Sequence, residues 1–320
     1  MKYKAYFTKE MDVSGKQILW DNDVEVIVAK GHSEEAYIQE ITEHQPDAIL
    51  CRTETVTAKM MDACPGLKVV AKHGVGIDNI DVAYATKKGI QVVYAPLGNS
   101  NSVAEHAMFL LLGCARRYMH VDKIFRDGNF DVRYTLHDTF ELEGMTLGLI
   151  GCGRIGQILA AKAINGFGMK VLGYDPFANP DNFKVPIELL ASRDELLERS
   201  DFVSLHLPST PETVGSFGAA AFAKMKPKAS FINVSRGDVV VERDMIEALQ
   251  TGRIIAAGLD VFAKEPIDYS NPLLTMPSAM LTPHTAATTE QAVVRCCTTA
   301  AQGIVEVLFG RTLTFPANKI

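Results

Sequence analysis

The stretch Gly151-Cys152-Gly153-Arg154-Ile155-Gly156 lies between an apolar, β-type run at 146–150 and a helix-type pattern at 157–164. Few short strings constrain a fold so tightly, because G-x-G-x-x-G in a strand-turn-helix setting asks for three separate backbone properties. Gly151 permits a tight turn, Gly153 lets a diphosphate approach the main chain, and Gly156 lets the helix pack close to the strand. Amides of the first helical turn then face the anion, aided by the positive end of the helix dipole. A second β-type run, 170–174, leads into Asp175, 19 residues after Gly156, where a ribose-binding carboxylate belongs. An Asp-Pro pair also opens ordinary loops, but here it completes a dinucleotide fingerprint. A carboxylate at this place accepts from ribose hydroxyls and repels a 2′-phosphate, which points to NAD rather than NADP.

Around that fingerprint, β-rich runs alternate with helical patterns. Five runs come first, at 4–7, 24–28, 48–51, 67–71 and 90–94; six follow, at 146–150, 170–174, 202–205, 229–234, 255–259 and 279–282. Such alternation predicts parallel sheets, and six strands is the number in a doubly wound dinucleotide domain. At roughly 150 residues per domain, 320 residues hold two. The fold class expected is therefore α/β, with two Rossmann-like or flavodoxin-like parallel-sheet domains. Between the two series, Ser102 with Glu105 forms a capping box and predicts a helix start there. The apolar residues that follow cover more than one face, so this helix is read as a buried crossover that also meets a partner subunit. A last helix, about 289–309, returns the chain to the first domain. The expected division is residues 1–99 with 288–320 as a discontinuous first domain, and 100–287 as the dinucleotide domain.

Charge and composition narrow the partners. Thirty-two Lys and Arg against 38 Asp and Glu give −6, with no basic block to track a phosphate backbone, so nucleic acid is not expected. No apolar run approaches the ~18 residues of a membrane span. The start, Met1-Lys2-Tyr3-Lys4, leads into no apolar signal region, so a cytoplasmic protein is expected. Six scattered cysteines without C-x-x-C pairs fit a reducing compartment, and no His or Cys cluster has metal-ligand spacing, so no metal is expected.

Three ionisable residues follow the carboxyl ends of the later strands, the edge where open α/β sheets bind ligands. Arg236 lies in Asn233-Val234-Ser235-Arg236-Gly237, Glu265 follows Leu259-Asp260-Val261-Phe262, and His284 follows Thr282-Pro283. Hydride transfer to a 2-oxo acid needs a cation for the carboxylate, a proton donor for the forming alkoxide, and an anion to keep that donor charged. Arg236, His284 and Glu265 match these needs in turn.

These strings, in this order and spacing, resemble the signatures of the D-isomer-specific 2-hydroxyacid dehydrogenase family over nearly the whole chain. The resemblance implies a Glu265-supported His284 acid/base and a substrate-binding Arg236. It implies NAD contacts at Gly151, Gly153, Arg154, Ile155, Gly156, Asp175, Leu207, Val234, Ser235 and Asp260. It also makes His73-Gly74-Val75-Gly76 a substrate loop whose amides at Val75 and Gly76 receive a carboxylate, and aims Arg52 at the distal end of the substrate. The active site is then expected in the cleft between the domains, and a homodimer is expected.

Arg52, residues 69–76 and residues 99–105 look most like the phosphoglycerate dehydrogenase branch, which implies 3-phosphoglycerate, with Arg133 as a further cation for its phosphate. Residues 129–142 depart from that branch. A glyoxylate/hydroxypyruvate reductase and a sulfolactate-type dehydrogenase are the alternatives within the class, and an NAD(H)-sensing corepressor-like protein is the alternative outside it. At this chain length the regulatory domains appended in some members are not expected. His73 is expected to brace the loop, His206 to be structural or to lie near the adenosine end, and His106 and His120 to be packing or surface residues.

Overall fold

The computed structural model describes residues 1–320. It divides into two compact units, Met1–Ser100 with Ala287–Ile320, and Asn101–Ala286.

The first unit holds five strands: β1 (Tyr3–Phe7), β2 (Val24–Val28), β3 (Ala48–Cys51), β4 (Val69–Lys72) and β5 (Gln91–Tyr94). All pair in parallel, in the order β2-β1-β3-β4-β5, the flavodoxin-like arrangement. Strands buried on both faces need apolar residues without alternation, and β3 and β4 are buried at every position. Tyr6, Ile49, Val70 and Val92 pack on one face. Phe7, Leu50, Ala71 and Val93 pack on the other, against Ala300, Ala301, Ile304 and Val305 of the helix Glu290–Leu308. That helix begins where the sequence places it, with the Thr289 hydroxyl accepting from the Ala292 amide at 3.3 Å.

The second unit holds β6 (Thr146–Ile150), β7 (Lys170–Tyr174), β8 (Glu188–Leu189), β9 (Phe202–Leu205), β10 (Ser230–Asn233), β11 (Ala256–Leu259) and β12 (Ala279–Leu281). They form one parallel sheet, β12-β11-β10-β9-β6-β7-β8. The sequence count of six strands missed β8, a two-residue edge strand too short to show any periodicity. The order reverses between β6 and β9, so the glycine loop after β6 emerges at a topological switch point.

The helix Ser100–Ala115 corrects a second expectation. It starts two residues before Ser102, and the Ser102 and Glu105 side chains do not form a capping box. Ser102 Oγ instead donates to the Ala286 carbonyl at 2.6 Å, and Glu105 accepts from Asn101 and Lys162. This helix lies directly on β11, where a Cβ on Gly258 would come within 2.8 Å of Leu110 Cβ. Close approach of that kind carries the residues of one helix face toward the end of β11.

Candidate active site

Parallel register decides which residues emerge together. Asn233 pairs with Leu259, and Leu259 with Leu281, so β10, β11 and β12 end level with one another. The next few residues of each strand contain Arg236, Asp260 with Glu265, and His284. On the second unit the structure therefore brings the three ionisable residues to one edge.

His284 has φ +54°, in the left-handed region that non-glycine residues seldom adopt. Its amide donates to the Asp260 carbonyl at 2.8 Å. In this posture Nδ1 meets Glu265 Oε2 at 2.7 Å, while Nε2 has no partner in the chain and about 40% of the side chain is accessible. Strain of this kind persists where surroundings over-determine it, and it marks places that hold a side chain for use. Burial works to raise the Glu265 pKa, but the hydrogen bond and charge of His284, the Phe262 amide at 3.1 Å and the Arg236 guanidinium more than offset it and hold the carboxyl below its usual range.

Arg236 stands in a turn tied by Asn233, which is 1% exposed. The Asn233 side chain donates to the Arg236 carbonyl at 2.8 Å and accepts from the Ser235 amide and hydroxyl. Gly237 then passes against the loop after β11, where a Cβ would fall 1.9 Å from the Phe262 oxygen. Two backbones at this separation keep Arg236 beside the segment that carries Glu265.

The glycine loop fits a dinucleotide diphosphate. Gly151 has φ +97°, and a Cβ there would lie 2.5 Å from the His206 oxygen. A Cβ on Gly156 would lie 2.5 Å from the Gly151 oxygen, whereas one on Gly153 would meet nothing within 4 Å, leaving an open face above the turn. The amides of Arg154, Ile155 and Gly156, at the start of the helix Arg154–Phe167, donate to no group in the chain. Asp175 Oδ2 accepts from the Cys152 amide at 2.9 Å and Oδ1 from the Phe177 amide at 2.9 Å, so the carboxylate is fixed at the loop with lone pairs to spare. His206 backs the loop. Burial pushes its pKa down to about 4, and its ring meets Ser204 Oγ at 3.0 Å, so it serves as a neutral wedge.

Leu207 packs on the hydrophobic core of this unit, and the Val234 and Ser235 side chains are buried at the end of β10. Asp260 is 1% exposed. Its carboxylate receives the amides of Thr285 at 2.8 Å and Ala286 at 2.9 Å and the Thr282 hydroxyl at 2.6 Å, binding together the turn that holds His284.

On the first unit, Arg52 follows β3 and the Val75 and Gly76 amides follow β4. Neither amide donates to any group of the chain, and the Arg52 guanidinium donates no hydrogen bond. The Arg52 peptide is held from both sides: its amide donates to Glu54 at 3.1 Å, and its carbonyl accepts from Lys72 Nζ. Burial opposes the Glu54 charge, yet the Thr8 hydroxyl, the Arg52 amide and Lys9 hold its pKa down at about 2. His73 is buried with Nε2 at 3.3 Å from the Val293 carbonyl, the bracing arrangement the sequence suggests. Arg133, by contrast, lies on the second unit over the rings of Phe130 and Tyr134, 4.5 Å from each centroid.

Sequence reasoning missed the polar partners of His106. Its ring packs near Phe109, as a packing residue would, but its Nε2 also lies 2.8 Å from Thr282 Oγ1 and 3.5 Å from Asp260 Oδ1. No local signal could show a contact spanning 176 residues of chain.

Residues 108–286 match the family model described as D-isomer specific 2-hydroxyacid dehydrogenase, NAD binding domain. A D-3-phosphoglycerate dehydrogenase of Archaeoglobus fulgidus is 39% identical over 290 residues, covering 90% of this chain and 54% of that protein. A glyoxylate reductase of Thermofilum pendens is 39% identical over 277 residues, covering 85% of this chain and 81% of that protein. Among solved structures, the TT0316 protein of Thermus thermophilus is similar with a TM-score of 0.90 at 31% identity, over 98% of this chain and 100% of the other. The chain spans about half the length of the curated phosphoglycerate dehydrogenases it matches.

Proposed function

Because this chain belongs to the D-isomer specific 2-hydroxyacid dehydrogenase family, we propose that it is an NAD-dependent dehydrogenase of small anionic 2-hydroxy acids, with 3-phosphoglycerate as its substrate. The observation that carries the reading is the Glu265–His284 pair, 2.7 Å apart, with Nε2 open and Arg236 alongside.

Bound NAD supplies the hydride acceptor in one direction and, reduced, the donor in the other. His284 Nε2 takes the hydroxyl proton during oxidation and returns it during reduction. Glu265 accepts the hydrogen bond from Nδ1–H, fixes the tautomer and stabilises the imidazolium. Arg236 clamps the carboxylate and draws electron density from the neighbouring carbonyl. The free amides of Val75 and Gly76 and the guanidinium of Arg52 serve as anion-binding groups for the substrate. The diphosphate of the cofactor is assigned to the loop Gly151, Gly153, Arg154, Ile155 and Gly156, and its adenosine ribose to Asp175. Leu207, Val234, Ser235 and Asp260, at the ends of neighbouring strands, are assigned to the rest of its path.

Initial rates with NAD on 3-phosphoglycerate, glycerate, glycolate and sulfolactate, followed by NADH absorbance, test the substrate. A guanidinium on the phosphate contributes about 1.5–3 kcal/mol, so kcat/KM on 3-phosphoglycerate is expected to exceed that on glycerate at least about tenfold. Equal values would remove the phosphate from the reading and leave glyoxylate/hydroxypyruvate or sulfolactate chemistry.

The cofactor choice rests on Asp175. Asp175→Ala removes a charged acceptor for ribose and the anchor of the Cys152 and Phe177 amides. KM for NADH should rise about tenfold and the preference for NADH over NADPH should narrow by a similar factor. An unchanged preference in steady-state kinetics counts against the assignment.

The homodimer and the cytoplasmic location belong to the same reading. Phe109, Tyr118, Met119, Phe125, Phe130 and Tyr134 are exposed within one stretch of the second unit, and the helix Tyr118–Arg126 has no buried residue. Exposed apolar side chains gathered in one stretch of the chain suit contact with a second copy, and light scattering at twice the chain mass is the expected result. All six cysteines are free thiols, as a reducing compartment favours. No helix is long and apolar enough to cross a membrane.

A further inference from the structure

A polar chain runs behind His284 on the second unit, and its far end has no part in the chemistry above. Thr282 Oγ1 lies 2.6 Å from Asp260 Oδ1 and 2.8 Å from His106 Nε2. A hydroxyl has one proton to give. Thr282 gives it to Asp260, the nearer and charged acceptor, so its oxygen must accept from His106, whose proton therefore sits on Nε2. Donation runs in one direction, from the His106 N–H to the Thr282 O–H to the Asp260 carboxylate. Burial pushes the His106 pKa down, with the Asp260 charge acting against that shift, which is consistent with a neutral ring carrying its one proton on Nε2.

The same carboxylate receives the amides of Thr285 and Ala286, and the Asp260 carbonyl receives the amide of His284. One turn of helix before His106, Ser102 Oγ donates to the Ala286 carbonyl at 2.6 Å. The turn from Thr282 to Ala286, with His284 at φ +54°, is thus gripped by β11 through Asp260 and by the helix Ser100–Ala115 through Ser102 and His106. A left-handed histidine relaxes toward ordinary backbone angles if such bonds are loosened, and its ring would swing off Glu265.

We propose that His106 is a positioning residue for His284, acting through Thr282 and Asp260 to hold the acid/base imidazole in its working orientation. The role rests on the dehydrogenase reading for its kinetic consequence, and on the hydrogen-bond chain alone for its structural one.

Five variants and two readouts test it. His106→Leu and Thr282→Val each break the chain while keeping bulk. Each should lower kcat about tenfold while KM changes less than about twofold, because orientation of the reacting group is lost and substrate contacts are kept. The double variant should be no worse than either single one, as for two links of one chain. His106→Gln, whose amide nitrogen can donate to Thr282, and Thr282→Ser should recover most of the turnover. Independently of turnover, hydrogen-deuterium exchange at residues 282–286 should quicken in the two broken variants and stay slow in the two conservative ones.

Full turnover in folded His106→Leu, or unchanged exchange at 282–286, would overturn the proposal. If His106→Leu does not fold, Thr282→Val decides by the same two measurements. If the wild-type protein oxidises none of the panel acids, the dehydrogenase reading falls, and the exchange comparison still decides whether His106 holds the turn.

Discussion

Replacing His284 by alanine is expected to lower kcat by roughly 10²- to 10⁴-fold while leaving the dissociation constant of NADH within about twofold of its original value. The asymmetry follows from where the ring stands. Nδ1 is committed to Glu265, and Nε2, the only nitrogen left to exchange a proton, is open. The glycine loop and Asp175, to which the cofactor is assigned, belong to the ends of β6 and β7 and share no hydrogen bond with His284. Removing the ring also takes from Glu265 the hydrogen bond and charge of His284 that help hold its pKa down, so the carboxyl should rise toward its ordinary value. Glu265→Gln separates the two functions, because a glutamine oxygen can still accept from Nδ1–H while the charge is gone. It should cost less turnover than His284→Ala and should alter the pH profile. A drop in kcat of less than about tenfold for His284→Ala, with folding intact by circular dichroism, would remove His284 from the acid/base role.

The elements that could be read from the sequence are those whose chemistry is local. Gly151 and Gly156 are required because a Cβ would strike backbone a few ångströms away, and that demand selects one residue type at each of two close positions. The β3, β4, β9 and β10 strands are buried at every residue and show as short apolar runs, unbroken in β3 and carrying only Lys72, Ser204, Ser230 and Asn233 as polar residues in the other three. Ser102 and Glu105 show the opposite case. Their spacing satisfies a local capping rule, but Ser102 is bonded to Ala286, 184 residues away, and the helix begins earlier. Asp260 is similar: the string Leu259-Asp260-Val261-Phe262 marks a place at the sheet edge, yet only the folded turn shows both carboxylate oxygens occupied by amides. His106 completes the pattern. A lone histidine on an apolar helix carries no sequence signal of its partner, since that partner, Thr282, is set by how closely the helix lies on β11.

Gly237→Ala is expected to damage stability and catalysis together. The glycine does not adopt a left-handed conformation, so the demand is for space alone: an added Cβ would lie 1.9 Å from the Phe262 oxygen, 2.0 Å from its carbon and 2.6 Å from the Ala263 nitrogen. These are backbone atoms with no rotamer to change, so one of the two loops must retreat. Overpacking of this kind costs about 3 kcal/mol, a fall of roughly 6–12 °C in the melting temperature of a unit this size. Retreat of the Phe262 loop draws its amide away from Glu265 Oε1, and retreat of the other loop moves Arg236. In either case the charged neighbours of His284 lose their spacing, and kcat should drop at least about tenfold at temperatures where the protein remains folded. Gly66→Ala is the control, because a Cβ there meets nothing within 4 Å and its melting temperature should stay within about 2 °C. A Gly237→Ala protein with the melting temperature and kcat of the original would show that the two loops are not held together as described. If stability falls but kcat is intact, the contact is architectural only, and the alignment of Arg236 with Glu265 must come from the level ends of β10 and β11 and the Asn233 side chain.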